Sequence, residues 1–511
     1  MRFAAAPGIF QRHDQDRIQR RKDWILSVSL RRDLAWMAVS QSWFFLIQFI
    51  ASAILARFIS PYDMGIYAVA MAVTGLLSIM QATGLIGFIV REPSLTHNLM
   101  ASTFTINAMI SIIVATLIVF GSVYAGEILH EAGVRRVMFV VAILPIIGMF
   151  EFLPAANLER EANFKAIASI GSCRTLIVQA SSVGLAISGL SYMSIAYGQV
   201  AGALFSAIAY SIVGRRFLNL RPSLVEWRRV TKFGFQMLAI SGTNAIGGRL
   251  GDLLLGRVIS LTALGLYGRA ANLNNLIQDN IYMVIVRVLF VDIAQRVRNG
   301  ESLRESYLTT IEILTAILWP AFAGLAIVSG PFINVVYGGR WIGAALPLFM
   351  LAIASMVHLT VSLSWQLFVV RHEVTRQTRL ECMRTGVGIG VFGIGCLFGL
   401  TAAAATRIIE ALFTVAIYRP HIGRMTDTRT RDFFPIYQRS GLLTLCAVAP
   451  VTIIMAVHGW SSSTSLIQIM AAIICGGVVW FVGILYIDHP LAAEIRRVGQ
   501  HLGGGITTNE F

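Results

Sequence analysis

Residues 54–70 read ILARFISPYDMGIYAVA, and residues 254–270 read LLGRVISLTALGLYGRA. At an offset of 200, seven of the seventeen positions are identical: Leu55/Leu255, Arg57/Arg257, Ile59/Ile259, Ser60/Ser260, Gly65/Gly265, Tyr67/Tyr267 and Ala70/Ala270. Each copy covers the end of one apolar stretch, a short connection and the start of the next. Internal repeats of this kind build the related helical bundles of many transporters. The repeat therefore predicts a membrane protein made of two related halves.

The composition agrees with a membrane fold. The chain has 511 residues, of which 56% are hydrophobic and 13% are charged, and its mean hydropathy is +0.71. A soluble domain carries about 25% charged residues. Spans of roughly 20 apolar residues cross a bilayer as helices, and the alternation of barrel strands is absent. We predict an all-α polytopic fold with fourteen spans, at 34–56, 64–90, 99–125, 137–153, 166–187, 193–213, 234–257, 263–288, 308–329, 343–367, 384–400, 401–418, 440–458 and 466–487.

The two repeat copies lie six spans apart, at spans one and two and at spans seven and eight. An even offset gives both halves the same orientation, with a cavity between them. We expect Gly65 and Gly265 to permit tight turns at helix boundaries, and the paired Tyr67 and Tyr267 to anchor at the bilayer interface. The stretch 384–418 is compatible with one long helix or with a hairpin that turns at Gly399. The predicted division is a basic tail (1–33), a six-helix lobe (34–218), a linker (219–232), a second six-helix lobe (233–419), a loop (420–439), a two-helix hairpin (440–487) and a tail (488–511).

The 41 Lys and Arg residues are distributed unevenly over this topology. Thirty fall in the tails and in the loops that follow even-numbered spans, four fall on the opposite side (Arg57, Arg135, Arg136 and Arg340) and seven fall within the bounds given for the spans (Arg174, Arg249, Arg257, Arg269, Arg287, Arg384 and Arg407). Because cytoplasmic loops are enriched in Lys and Arg, both termini are predicted to lie in the cytoplasm. The net charge of +15 is then a consequence of topology and does not indicate a nucleic-acid partner.

Motifs for enzymatic chemistry are missing. The sequence contains neither a G-x-x-x-x-G-K-[ST] nucleotide loop nor an H-E-x-x-H metal motif. The spacings of the five cysteines fit neither a zinc site nor a disulfide framework. Residues 1–33 lack the apolar region and cleavage site of a signal peptide. We therefore predict a non-enzymatic protein without a metal or cofactor.

Polar residues inside the predicted spans indicate a hydrated cavity, because ionisable groups are costly in the bilayer and usually face partners or water. Span seven carries one polar stripe at helical spacing: Ser241, Asn244, Gly248 and Asp252. The repeat-equivalent stripe of span one is Gln41, Phe44, Gln48 and Ser52. Span eight adds a run of amides that includes Asn272 and Asn275. Equivalent helices with matching stripes are predicted to line the same cavity.

Arginines within the spans are candidates for binding an anionic cargo, since a guanidinium pairs bidentately with phosphate. Arg174 has no acidic residue within four positions, and Arg249 lies beside the polar stripe. Structural alternatives stay open for the others. Arg249 and Asp252 are spaced to neutralise each other, as are Arg407 and Glu410, and Arg257 could extend to the membrane interface.

Four stretches of the chain resemble the polysaccharide transporter (Wzx-type) family of the multidrug/oligosaccharidyl-lipid/polysaccharide flippase superfamily. They are LARFISPYDMGIYAVA (55–70), LEREANFKAIA (158–168), GRLGDLLLGRVISLTALGLYGRAANLNNL (248–276) and VVYGGRWIGAALPLFMLA (335–352). The resemblance implies a V-shaped fold with alternating access and an undecaprenyl-pyrophosphate-linked oligosaccharide as cargo. It places Asp252 and Arg257 at charged positions of the family's helix-seven motif. Family members commonly have Asn where this chain has Gly251, which puts the fine substrate contacts in doubt.

The function and location that the resemblance implies are therefore a flippase of the bacterial inner membrane for exopolysaccharide, capsule or O-antigen repeat units. The expected partners are membrane lipids and the polymerase and export machinery, with H+ or Na+ as a candidate coupling ion. A lipid II flippase and a multidrug antiporter of the same superfamily are the nearest alternatives. A membrane polysaccharide polymerase or ligase fits less well, since no predicted loop on the outer side exceeds about fifteen residues.

Overall fold

A computed structural model describes residues 46–81, 84–128, 130–217, 222–278, 302–487 and 489–492, together with Tyr282 and Val286. The side chains of residues 236–237 and 239–246 are not described. The predicted basic tail, Gln41 and the side chain of Asn244 therefore lie outside the described parts of the chain. Within these parts the regular secondary structure is helical, and the predicted all-α class is confirmed.

The helices follow one another through short connections. In chain order they are α1 (Leu46–Phe58), α2 (Pro61–Leu77), α3 (Leu85–Arg91), α4 (His97–Ile128), α5 (Ala132–Val141), α6 (Ile143–Arg160), α7 (Phe164–Ile187), α8 (Ser191–Val213), α9 (Trp227–Val258), α10 (Leu261–Ile277), α11 (Arg304–Ile327), α12 (Ser329–Tyr337), α13 (Ala345–Leu359), α14 (Ser364–Val370), α15 (Val374–Leu397), α16 (Leu400–Thr426), α17 (Phe434–Val457) and α18 (Leu466–Tyr486). Short 3₁₀ helices cover Ser78–Gln81, Arg215–Phe217, Gly339–Ala344 and Thr430–Phe433.

Eleven helical stretches in the described residues are long and apolar enough to cross a membrane. They correspond to predicted spans two to six and nine to fourteen. The described part of span one is the shorter apolar helix α1. Helices α9 and α10, which match spans seven and eight, are not among the eleven. The polytopic membrane class is confirmed, and the count of fourteen spans stays a prediction.

Several predicted spans differ from the observed helices. The stretch 64–90 is not one helix, because α2 gives way to a 3₁₀ turn and α3 begins after Gly84 (φ 60°). The predicted span 137–153 is longer and breaks at Ala142 between α5 and α6. The hairpin alternative for 384–418 is confirmed. Helices α15 and α16 meet at Gly399, whose φ of 103° favours glycine.

The two repeat copies have the same local structure. Ser60 and Ser260 are the N-caps of α2 and α10, and each hydroxyl accepts a hydrogen bond of 3.1 Å from the backbone three residues later. Such caps satisfy backbone donors that the first turn of a helix leaves unpaired. The repeat seen in the sequence is therefore also a structural repeat, at least over its helix–cap–helix segment.

Helices α2 and α10 pack against each other through the paired glycines. A Cβ on Gly65 would lie 1.9 Å from the carbonyl oxygen of Leu261, and a Cβ on Gly265 would lie 1.9 Å from that of Pro61. The contact is reciprocal, as expected of equivalent positions in two repeat copies. The expectation that these glycines form tight turns is wrong. Both lie within helices, and backbone-to-backbone packing leaves no space for a side chain.

The predicted C-terminal hairpin forms from α17 and α18. A Cβ on Gly476 would lie 2.0 Å from the carbonyl oxygen of Ala447, so the two helices pack closely. Trp480 Nε1 donates a 2.8 Å hydrogen bond to the carbonyl oxygen of Ala316, which attaches the hairpin to α11. The bounds of the two six-helix lobes stay predictions.

Candidate substrate-binding site

Arg174 of α7 borders a polar pocket of about 520 Å³. Its Nη1 lies 3.5 Å from Oε1 of Glu151 on α6, and the other carboxylate oxygen of Glu151 accepts a 2.6 Å hydrogen bond from Ser206 on α8. The spacing of the sequence offered no partner for Arg174, but the fold supplies one from a neighbouring helix. The guanidinium side chain is still 40% exposed. The pocket is also lined by Gln81, Asn107, Ser111 and Tyr210.

Arg249 of α9 lies across α2. A Cβ on Gly75 would fall 2.6 Å from Nε of Arg249, and a Cβ on Gly256 would fall 2.7 Å from the Val69 side chain. Gly75 lies ten residues from Gly65, or about 15 Å along a helix that rises 1.5 Å per residue. Arg249 is thus positioned at the contact between helices of the two repeats, well away from the Gly65–Gly265 crossing.

Asp252 does not pair with Arg249. No ion pair within 4 Å joins these two described residues, although their spacing of three allows one. They therefore form no direct ion pair, but the charge of Arg249 still acts on the Asp252 carboxylate, so their mutual neutralisation stays a prediction. Arg257 is exposed on the last turn of α9, eight residues or about 12 Å along the helix from Arg249. The structure does not bring Arg257 together with Arg249.

The predicted amide positions divide into exposed and buried faces. Asn272 and Asn275 are exposed on α10, and Gln48 is exposed on α1. Asn274, which lies between the first two, is buried and donates a 2.9 Å hydrogen bond to Ser355 of α13. Because an amide facing lipid is costly, the exposed face of α10 is better suited to a hydrated cavity than to the bilayer.

Arg407 is held in a network inside the second half of the chain. Its Nη1 lies 2.6 Å from Oε2 of Glu410, which confirms the predicted pairing. Its Nε donates a 3.0 Å hydrogen bond to the Tyr267 hydroxyl, and its guanidinium lies 4.1 Å from the centroid of the Phe392 ring. Tyr267 is 6% exposed, so the expectation that it anchors at the membrane interface is wrong.

The same network explains the unusual glycine beside Asp252. A Cβ on Gly251 would lie 3.2 Å from Nη2 of Arg407. A longer side chain at position 251 would therefore have to displace the guanidinium from its stacking and hydrogen-bonding partners. Gly251, where family members commonly have Asn, leaves space for the Arg407 guanidinium.

Two charged residues of this network were missed in the sequence. Glu381 lies outside the predicted span 384–400 and Arg384 is its first residue, but α15 begins at Val374 and contains both. Arg384 pairs with Glu381 and also with Glu410, at 2.5 Å. The i, i+3 spacing of Glu381 and Arg384 was the available signal, because a self-neutralised pair can extend into the membrane.

Arg269 lies within predicted span eight, and the structure buries it within α10. The guanidinium carbon lies 4.9 Å from the ring centroids of both Tyr337 and Trp341, and Nη1 donates to Ser52 of α1. Trp341 in turn donates a 2.8 Å hydrogen bond to the carbonyl oxygen of Ala56. This cluster joins α1 to the segment between α12 and α13, near the N-terminal end of α10.

A family model described as "Polysaccharide biosynthesis protein" matches residues 54–346. The chain belongs to the polysaccharide biosynthesis protein family. This match spans both repeat copies, and it confirms the resemblance drawn from residues 55–70 and 248–276.

The chain is also similar to two curated proteins and to one solved structure. An "uncharacterized membrane protein in cps region" of Klebsiella pneumoniae is 21% identical over 492 residues, which are 93% of this chain and 99% of that protein. The lipopolysaccharide biosynthesis protein WzxC of Escherichia coli (strain K12) is 21% identical over 60% of this chain and 63% of its own length. The lipid II flippase MurJ in an inward closed conformation has a TM-score of 0.74 at 12% identity, covering 89% of this chain and 99% of that one. The last likeness shows a shared fold.

The described part of the chain contains no candidate metal-binding site. No group of three or more His, Cys, Asp or Glu side chains there could hold a metal ion. The predicted absence of a cofactor stays a prediction.

Proposed function

We propose that this chain is a flippase that moves an undecaprenyl-pyrophosphate-linked oligosaccharide from the cytoplasmic to the periplasmic leaflet by alternating access. Membership of the polysaccharide biosynthesis protein family, similarity to a Wzx protein and the fold shared with a lipid II flippase support this function. The proposal includes two like-oriented lobes (34–218 and 233–419), both termini in the cytoplasm and a bacterial inner-membrane location. It also assumes no catalytic step.

The observation that carries the proposal is the position of Arg249. It lies at the contact between α2 and α9, which come from the two repeats, and it does not pair with the nearby Asp252. A pyrophosphate cannot cross hydrocarbon without compensation of its charge. A guanidinium at the contact between the halves can bind the diphosphate while the lipid tail stays in the bilayer. Movement of the halves would then carry the bound group across.

Arg174 provides a second site for an anionic group. Its single carboxylate partner lies at 3.5 Å, which is long for a charge-assisted hydrogen bond. An anion of the cargo can therefore compete with Glu151 for the guanidinium. The same preference for anions argues against the multidrug antiporter alternative, whose cationic cargo would favour carboxylates. A coupling ion, H+ or Na+, and association with the polymerase and export machinery remain part of the proposal.

The test uses the purified full-length chain in vesicles with a fluorescent undecaprenyl-pyrophosphate oligosaccharide. Arg174→Gln and Arg249→Gln should each slow translocation by about 10- to 100-fold, because a hydrogen bond to a charged group contributes about 1.5–3 kcal/mol. Arg136→Gln is the matched control, since Arg136 is exposed on α5 away from either site. It should translocate at the wild-type rate.

Two results would contradict these assignments. If Arg174→Gln and Arg249→Gln both translocate the cargo at the wild-type rate, these arginines do not bind it. Faster transport of lipid II than of the oligosaccharide donor would favour the lipid II alternative over a polysaccharide repeat unit.

A further inference from the structure

A second polar cavity, of about 650 Å³, lies between α13, α14, α15 and α16. Its volume falls within the roughly 300–1,000 Å³ typical of small-molecule sites. None of the residues predicted from sequence to bind the cargo lines it. Its lining combines aromatic rings with uncharged polar groups and one ion pair, among them Tyr282, Ser362, Trp365, Gln366, Gln377 and Arg384.

The cavity exists because the helix that begins as α13 is interrupted. Leu363 has a φ of 64°, which is strained for a branched side chain, and it separates α13 from α14. The carbonyls released by the interruption are satisfied by aromatic side chains. Tyr307 donates a 3.1 Å hydrogen bond to the Ser362 carbonyl, and Tyr437 donates a 3.3 Å hydrogen bond to that of Thr360. The wall of the cavity is therefore fixed in shape, as expected where strain serves a binding site.

Gln377 supplies an unsatisfied hydrogen-bond acceptor in this cavity. Its side chain is 6% exposed, and its Oε1 has no hydrogen-bond partner among the described residues. Its amide also hydrogen-bonds Tyr418. A buried polar atom without a partner costs about 1–3 kcal/mol, estimated from protein variants. Oε1 itself is closed off from the cavity, so a ligand donates to it once the Gln377 side chain rotates towards the bound sugar.

Trp365 supplies an apolar platform in the lining of the same cavity. It lies at the start of α14 and is 49% exposed. An exposed indole presents a large flat apolar face, which suits the C–H face of a pyranose ring. Carbohydrates need this combination of a flat apolar surface and hydrogen-bond acceptors for their hydroxyls.

The charges in the cavity cancel. Arg384 pairs with Glu381 in the lining and with Glu410 immediately behind it. A guanidinium already shared between two carboxylates is a poor ligand for phosphate, because an anion would have to displace them. The cavity is therefore suited to an uncharged polar ligand.

We propose that this cavity binds one neutral sugar residue of the cargo, which stacks on Trp365 and donates a hydroxyl to Oε1 of Gln377. The proposal rests on the proposed flippase function, to which it adds a sugar subsite separate from the arginines that bind the diphosphate. The basic residues around the ends of α15 and α16, such as Arg371, Arg376 and Arg424, predict a cytoplasmic location for this end. The cargo would then contact the site as it is received.

The first experiment measures binding of neutral monosaccharides to the full-length chain in nanodiscs by saturation-transfer NMR, with glucose, galactose, mannose and N-acetylglucosamine as probes. At least one should bind. Trp365→Ala and Gln377→Met should each weaken binding at least tenfold, which corresponds to about 1.4 kcal/mol. Trp460→Ala is the matched control, because Trp460 is exposed to a similar degree (55%) in the α17–α18 connection. Inorganic phosphate should not compete.

Thermal unfolding separates a binding role from a structural one. Gln377→Met removes an unsatisfied acceptor but also the hydrogen bond to Tyr418, and these effects oppose each other, so its unfolding temperature should stay close to that of the wild type. The proposal is overturned if no probe binds, if phosphate competes, or if both variants bind sugar as tightly as Trp460→Ala.

A transport experiment distinguishes this proposal from the function on which it rests. Trp365→Ala should slow translocation of the oligosaccharide donor but leave translocation of sugar-free undecaprenyl pyrophosphate at the wild-type rate. Equal slowing of both lipids would overturn the sugar subsite and leave the flippase function intact. Sugar binding by a protein that translocates neither lipid would overturn the flippase function instead.

Discussion

Adding a single methyl group at the crossing of α2 and α10 should force the two helices apart. In Gly265→Ala the new Cβ would lie 1.9 Å from the carbonyl oxygen of Pro61, whereas ordinary contact begins at 3.4 Å. The two backbones must therefore separate by about 1.5 Å, the difference between these distances. The obstructing atom belongs to the backbone of α2, so it cannot rotate away as a side chain would.

The separation should disfavour the conformation described here. Overpacking of a tight contact costs about 1–3 kcal/mol, which changes a conformational equilibrium by roughly 5- to 150-fold. Under alternating access, the favoured alternative is the conformation in which the N-terminal ends of α2 and α10 are apart. We expect Gly265→Ala to populate it.

Distances between spin labels report this change. Labels at Arg136→Cys on α5 and Thr262→Cys on α10 occupy exposed positions, and α5 packs against α2 near Gly133. The five native cysteines are replaced first. Gly265→Ala should increase the population of long distances, whereas Gly268→Ala should not, because a Cβ on Gly268 meets nothing within 4 Å.

The expected effect of the α2–α10 contact is refuted if Gly265→Ala and Gly268→Ala give the same distance distribution as the unsubstituted protein. It also fails if Gly268→Ala alone shifts the distribution. Either result would mean that the α2–α10 contact does not control the separation of these helix ends.

Three further predictions concern stability in detergent. Glu410→Gln should lower the free energy of unfolding by about 1.5–3 kcal/mol, because it leaves Arg407, whose side chain is 26% exposed, without its carboxylate partner; an unchanged melting temperature would refute this. Gly399→Ala should cost about 1–3 kcal/mol at its φ of 103°, whereas Gly390→Ala, with open space around it, should be neutral or stabilising. Burial and the charge of Arg439 lower the pKa of His489 from 6.5 to about 4, although Oε1 of Glu312 lies 3.7 Å from His489 Nε2 and opposes this shift. Between pH 4 and pH 6.5 the unfolded chain then binds more protons than the folded chain. The free energy of unfolding should therefore be highest above pH 6.5 and fall by about 3 kcal/mol as the pH is lowered to 4. His489→Gln should remove that fraction of the pH dependence.

The fold class followed from the sequence because apolar length and charge asymmetry are local signals. The 200-residue offset also identified the segment that forms matching caps and the α2–α10 contact. The role of Gly65 and Gly265 did not follow, because a tight turn and a close helix crossing both require glycine. Only the positions of the Pro61 and Leu261 carbonyls distinguish the two.

The candidate site was predicted less completely, because partners that lie far apart in sequence leave no spacing signal. Glu151 is 23 positions from Arg174, and its pairing depends on how α6 packs against α7. The Arg407–Glu410 pair was predictable because both residues share one turn of α16. The role of Arg384 was missed because the predicted span began only at that charged residue. The cavity lined by Trp365 depends on a helix interruption at Leu363, which no turn residue in the sequence predicts.

The central claim is that this chain itself carries a lipid-linked oligosaccharide across a bilayer. The most direct measurement is the rate at which the purified wild-type protein, reconstituted alone, moves that fluorescent donor between the leaflets of sealed vesicles. Our account predicts protein-dependent movement that Arg249→Gln slows. Movement no faster than in protein-free vesicles, with any coupling-ion gradient supplied, would contradict it.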